Sequence, residues 1–125
     1  MADKITQAEY EIMSVLWRDA PLAASDVAKR LSKKKDWSDR TVKTLLSRLT
    51  DKNAVEYQTE GRRYLYSPVV SREAYTQRET KSLLDRVFGG KAAPLVAQLA
   101  ENGDLDADDM DEILALIEEY KTNDR

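Results

Sequence analysis

Trp37-Ser38-Asp39-Arg40-Thr41-Val42-Lys43-Thr44-Leu45-Leu46-Ser47-Arg48-Leu49 decides how this chain is read. Ser38 is a good helix cap and Asp39 places a carboxylate in the first turn, so a helix is predicted over 40–52. Val42, Leu45, Leu46 and Leu49 recur at three- and four-residue spacing and form one narrow apolar stripe. At about 100° per residue the opposite face carries Arg40, Lys43, Thr44, Ser47 and Arg48, with Asp51 as its acid. A basic helix face alone is most often a solvated face. Its neighbours change that reading.

Upstream, Thr6-Gln7-Ala8-Glu9 has capping-box spacing, and Ile12, Met13, Val15, Leu16 and Trp17 follow on one side until Asp19-Ala20-Pro21 ends the helix. A second helix, capped at Ser25 or its neighbour, turns Val27, Ala28 and Leu31 inward and runs to Lys33-Lys34-Lys35. Downstream, Asn53 suits a left-handed helix end, and the period changes to alternation. Val55, Tyr57 and Thr59 on one run and Tyr64, Leu65 and Tyr66 on the next flank Glu60-Gly61-Arg62, which predicts a β-hairpin closed at Pro68. Trp37 and the three hairpin tyrosines are expected to pack, because the hairpin must cover the helices.

Helix, helix, basic-faced helix, hairpin is the order of a winged helix-turn-helix. The fold class expected is mainly α: three helices plus a hairpin wing over residues 1–70, then a helical dimerisation domain over 71–125. In this arrangement Arg40, Lys43, Thr44, Ser47 and Arg48 are candidates for contacts in a major groove about 12 Å wide. Thr41, in the same helix, joins the candidate set, and Arg62, Arg63, Lys33 and Lys34 are candidates for phosphate contacts.

Charge follows the same division. The whole chain carries −3, which speaks against nucleic acid until it is split. Residues 1–70 hold 13 Lys and Arg against 10 Asp and Glu, net +3, and residues 71–125 hold 7 against 13, net −6. The window 29–63 alone is net +6, with 11 basic and 5 acidic residues.

The second half has helical periods with breaks at Gly89-Gly90 and Asn102-Gly103. Leu83, Leu84, Val87, Phe88, Leu95, Val96, Leu99, Ile113, Leu114 and Ile117 are too many to be hidden by three short helices packing only on one another. They are the candidate dimerisation residues, and a second copy is the expected partner. Packing back on the winged domain is the competing account. The run Asp104-Leu105-Asp106-Ala107-Asp108-Asp109 fails as a calcium loop, since Asp109 stands where Gly is required and Ala115 where a bidentate Glu is required. Acids at a helix start, facing its dipole, account for it better.

Cysteine and histidine are both absent, which excludes disulfides, thiolate metal sites and Ser-His or Cys-His catalysis. No cofactor, metal site or catalytic residue is expected. No apolar run is long enough to span a bilayer, and nothing of signal-peptide type follows Met1-Ala2-Asp3-Lys4, so a cytoplasmic protein with no membrane partner is expected.

The carrying segments resemble the penicillinase repressor family of winged-helix regulators, the repressors of β-lactamase and methicillin-resistance genes. They are Thr6-Gln7-Ala8-Glu9, Ile12-Met13, Leu16-Trp17, Trp37-Ser38, Arg40 through Leu46, Arg48-Leu49, Glu60-Gly61-Arg62, Tyr66 and Pro68. The resemblance covers nearly the whole chain. It implies a homodimeric repressor on a palindromic operator. It also implies a regulatory protease as partner, which in antibiotic-responsive members cuts an Asn-Phe bond in the dimerisation region. The matching positions here are Gln98-Leu99, a departure from that pair. The family also has a copper-responsive branch with paired cysteines near its C-terminus, which this chain lacks. The alternative function is a winged-helix protein-interaction module that does not bind DNA.

Overall fold

The computed structural model describes residues 4–123. Its elements run α1 (Gln7–Asp19), α2 (Ala24–Leu31), α3 (Asp39–Asp51), β1 (Val55–Glu60), β2 (Arg63–Pro68), α4 (Arg72–Val87), α5 (Ala92–Glu101) and α6 (Ala107–Asn123). The chain divides into two compact units between Thr76 and Gln77, inside α4.

Local hydrogen bonds set most of these boundaries. The Glu9 N–H donates to Thr6 Oγ1 at 3.2 Å and the Thr6 N–H donates to Glu9 Oε1 at 2.8 Å, the reciprocal box that starts α1. The Thr41 N–H donates to Ser38 Oγ at 3.1 Å, which caps α3. At its other end Asn53 turns left-handed, with φ +61°, and the Ala54 N–H donates to the Leu49 carbonyl at 2.9 Å, a Schellman closure.

α2 departs from expectation. Ser25 lies inside its first turn, and the cap is Ala23, whose N–H donates to the Asp26 carboxylate at 3.3 Å. Tertiary contact sets this start: Leu22, Ala23 and Ala24 are buried, and Leu22 exchanges backbone hydrogen bonds with Tyr66 of β2 at 3.1 and 2.8 Å. That bridge fastens the hairpin to the loop between α1 and α2.

The hairpin is antiparallel, with Tyr57 opposite Tyr66, Thr59 opposite Tyr64, and Glu60 opposite Arg63. Gly61 and Arg62 form its turn. Gly61 has φ +64° while Arg62 does not enter the left-handed region, the type II′ pattern that requires glycine first.

Three helices and one hairpin face enclose the first unit's core. Ile12, Met13, Leu16, Val27, Val42, Leu46 and Leu49 are each at most 1% exposed. Each such side chain stabilises the fold by about 1.5–3 kcal/mol through burial. A ring cluster extends this core to the first turn of α4, where Tyr75 lies 5.5 Å from Tyr10 and 5.6 Å from Trp17. The Trp17 indole N–H donates to the Val70 carbonyl at 2.8 Å.

Among the described residues, the core holds one acid. Glu9 is 1% exposed and accepts a 2.6 Å hydrogen bond from Lys52 Nζ, which also donates to the Lys4 carbonyl at 2.8 Å. Burial opposes ionisation of Glu9. The Lys52 and Thr6 hydrogen bonds, with the Lys52 charge, outweigh it and hold the carboxyl below its ordinary value.

The second unit is different in kind. α5 ends in its own Schellman closure, with Gly103 at φ +77° and the Asp104 N–H donating to the Leu99 carbonyl at 2.9 Å. Asp106 and Asp109 exchange side-chain to backbone hydrogen bonds at 2.8 and 3.3 Å to start α6, so two members of the acidic run serve as cap and first turn. Yet α4, α5 and α6 contain no buried residue. Among the described residues, no helix is long and apolar enough to cross a membrane.

Candidate nucleic-acid interface

α3 is held by its buried stripe, Val42, Leu45, Leu46 and Leu49, so the opposite face of the helix points away from the core. Arg40, Thr41, Lys43, Thr44, Ser47 and Arg48 are all exposed. The Thr44 hydroxyl donates to the Arg40 carbonyl at 3.0 Å, which ties that donor to the helix but leaves its oxygen lone pairs facing out. Thr41 is drawn into the cap, its hydroxyl 3.2 Å from that of Ser38.

Lys43 and Ser47 share a groove with Arg62, Arg63 and Tyr64 of the hairpin and with Ala23, Ala24 and Ser25 at the start of α2. The fold therefore brings one flank of α3 and the wing's arginines, 15 or more residues away in sequence, to a common surface. Asp39 also lines it, an acid favoured there by the α3 dipole. Arg63 contacts Glu60 at 3.1 Å, both more than half exposed. A pair this wet is worth little, so Arg63 can exchange Glu60 for another anion at small cost.

Lys33 and Lys34 lie outside this groove, exposed in the segment after α2. Lys34 faces Glu11 of α1 at 3.7 Å. Lys35 sits 5.8 Å from the Trp37 ring, and Trp37 packs half-buried against the core as expected.

The hairpin tyrosines divide. Tyr66 is buried, but Tyr57 and Tyr64 are 43% and 46% exposed, which corrects the expectation that all three pack beneath the wing. The strands differ: β2 is bridged to Leu22 at Tyr66, whereas β1 is exposed beyond Val55, so Tyr57 stays open although it lies directly opposite Tyr66, and Tyr64 stands two residues nearer the tip. Sequence reasoning also missed Ser25 as a groove residue, having read it as a cap. Among the described residues, no group of three or more acidic, Cys or His side chains is placed to hold a metal.

Of the ten candidate dimerisation residues, Leu84, Phe88, Leu95, Leu99 and Ile113 are half-buried and Leu83, Val87, Val96, Leu114 and Ile117 are exposed. Leu116, which the sequence reading did not single out, and Tyr120, which it expected to lie on the buried stripe of the last helix, add to the open apolar surface at 47% and 68% exposure. Gln98 is exposed within α5, its amide donating to Asn102 at 3.1 Å.

Three helices with a hairpin wing pinned to the first helical loop define a winged-helix regulator. Comparison with solved structures agrees. The solution structure of the DNA binding domain of the repressor BlaI superposes with a TM-score of 0.54 at 36% identity, covering 60% of this chain and 92% of that one. The Bacillus licheniformis BlaI monomeric form in complex with the blaP half-operator superposes with a TM-score of 0.51 over the same shares.

The penicillinase repressor family model matches residues 5–119, and the chain belongs to that family. It is 33% identical over 118 residues to the penicillinase repressor of Bacillus licheniformis, covering 94% of this chain and 92% of that one. It is 26% identical over 110 residues to the methicillin resistance regulatory protein MecI of Staphylococcus aureus, covering 88% and 89%.

Proposed function

We propose that this chain is a DNA-binding transcriptional repressor that works as a homodimer on a palindromic operator. The observation that carries the reading is the outward face of α3, where Arg40, Lys43, Thr44, Ser47 and Arg48 stand exposed beside a groove shared with Arg62 and Arg63. A helix so mounted can enter a major groove, its side chains reading base edges while the wing arginines neutralise phosphates. Lys33 and Lys34 are assigned to phosphates farther along the same duplex. The complex of the related BlaI with its half-operator supports this use of the fold.

Pairing is the role of the second unit. Its helices carry Val87, Leu114, Leu116 and Ile117 at 46–61% exposure with no buried residue beneath them, a surface that water disfavours and a second copy covers. Two copies related by a two-fold axis present two α3 helices to two half-sites. Blocking a promoter is then a matter of occupancy, in the cytoplasm where the chromosome is accessible.

Release requires loss of that pairing. A protease cutting between Gln98 and Leu99 would separate α6 from α4 and leave monomers that grip one half-site each. Incubating the protein with extracts of induced cells and reading the fragments by mass spectrometry tests this: a cut at that bond supports it, and derepression of an uncut chain overturns it.

The main test is selection of duplexes from a random-sequence pool, followed by titration at several salt concentrations. Enrichment of palindromes and a logarithmic salt slope of about −0.9 per neutralised phosphate are expected. Failure to enrich any sequence overturns the reading in favour of a protein-interaction module.

A further inference from the structure

Tyr57 and Tyr64 are large aromatic side chains of the hairpin that the core does not take in. The register that sets Tyr57 opposite Tyr66 and Tyr64 opposite Thr59 puts all three tyrosines on one face. The rings of Tyr57 and Tyr64 stack with centroids 4.1 Å apart and 14° between planes. Each also leans on buried Tyr66, at 5.6 and 6.4 Å. A row of rings therefore runs from the core toward the tip of the wing. Tyr64 borders the same groove as Lys43 and Ser47 of α3 and the wing's Arg62 and Arg63.

Stacking explains the rings. A two-stranded hairpin is marginal alone, and an offset aromatic pair stiffens it. Stacking does not explain the phenol, since phenylalanine would stack as well. A phenol bordering a groove lined by two arginines, a lysine and two serines against one acid, Asp39, is matched to an anionic oxygen, and the duplex supplies one at every nucleotide.

We infer, resting on the reading that this chain grips duplex DNA, that Tyr64 donates a hydrogen bond from its hydroxyl to a backbone phosphate beside the groove that α3 enters, and that Tyr57 is the positioning residue that holds its ring. The pair gives the wing a rigid, uncharged contact next to its flexible arginines. It fixes the register of the wing without adding to the charge that drives non-specific binding.

The probe is the duplex that the wild-type chain enriches from a random-sequence pool, ethylated at single phosphates for interference mapping. Tyr64→Phe keeps the stack, so its melting temperature should equal that of the wild type. Its affinity should fall about tenfold per half-site, the usual scale for losing one hydrogen bond to a charged acceptor. The salt slope should not change, because a neutral phenol displaces no counterion. At one phosphate per half-site, ethylation should block the wild type and leave Tyr64→Phe unaffected, since a contact already lost cannot be blocked. Tyr57→Phe should bind like the wild type, while Tyr57→Ala, which removes the stacking partner, should lose sensitivity at that same phosphate. Wild-type affinity and an unchanged interference pattern in Tyr64→Phe would overturn the inference and leave the tyrosines as hairpin stiffeners. A wild type that enriches no duplex overturns the DNA-binding reading and this inference with it.

Discussion

In α3, apolar residues at three- and four-residue spacing are sealed, with Val42, Leu46 and Leu49 at 0% exposure. In α6 the same spacing leaves Leu114 at 61%, Ile117 at 46% and Tyr120 at 68%. Both helices are well capped and both carry an amphipathic stripe. The difference is what lies opposite. The first unit folds α1, α2 and a hairpin over the α3 stripe, whereas the second leaves no residue of its helices buried. An amphipathic period thus specifies a helix and a buried face, but not whether the covering surface belongs to the same molecule.

The contrast can be broken most sharply at Leu114. Leu114→Asp places a carboxylate in the proposed pairing surface twice per dimer, and removing two unpaired charges from water costs several kcal/mol. Sedimentation should find monomers, and operator affinity should drop by about a thousandfold or more, the equivalent of some 4 kcal/mol. A dimer of undiminished tightness would show that α6 is not its interface.

Leu46→Ala is the matching change in the sealed unit. It should lower the unfolding free energy by about 2–5 kcal/mol, read from the urea transition of Trp17 and Trp37 fluorescence. Leu114→Ala should leave that same transition nearly unmoved, because its side chain has no part in the first unit's core. Equal effects of the two would erase the distinction between the units.

Lys52→Met sharpens the picture of Glu9, the buried acid of the first unit. Glu9 would lose its counter-ion and its shortest hydrogen bond, costing about 1–3 kcal/mol, less than a fully buried pair because Lys52 is partly wet. The pH dependence has a definite sign. Glu9 is held below its ordinary value of 4.5, so its contribution is present in full above that pH and is lost as pH falls through the lowered value. The stability gap between wild type and Lys52→Met should therefore narrow in acid below about pH 4.5, as denaturation at a series of pH values will reveal.

The smallest effects belong to the exposed face of α3. Arg48→Ala or Lys43→Ala should reduce affinity about tenfold and leave the melting temperature unchanged. Where the lost contact is to phosphate, the salt slope should become shallower by about 0.9; where it is to a base, tolerance at one operator position should widen instead. A melting temperature that fell with affinity would mean these side chains support the fold rather than a ligand.

The winged helix was legible because its punctuation is local. Thr6 with Glu9, Ser38, Asn53 and Gly61 each act within a few residues, through hydrogen bonds or dihedral preferences that need no distant partner. The outward face of α3 could be read for the same reason, since helical geometry alone sorts its residues into buried and exposed. Ser25 was misread because a residue with cap chemistry stood near a helix start that tertiary packing had already settled.

Local chemistry in the sequence determined where helices and turns begin and end, which stripe of each helix is apolar, and where positive charge gathers. Only the folded chain decided that Leu22 would bridge Tyr66, that Lys52 would meet Glu9 across 43 residues, and that Tyr57 and Tyr64 would overhang the core. These depend on which elements come to lie against one another once packed. That is a matter of three-dimensional distance, which spacing along a chain does not encode.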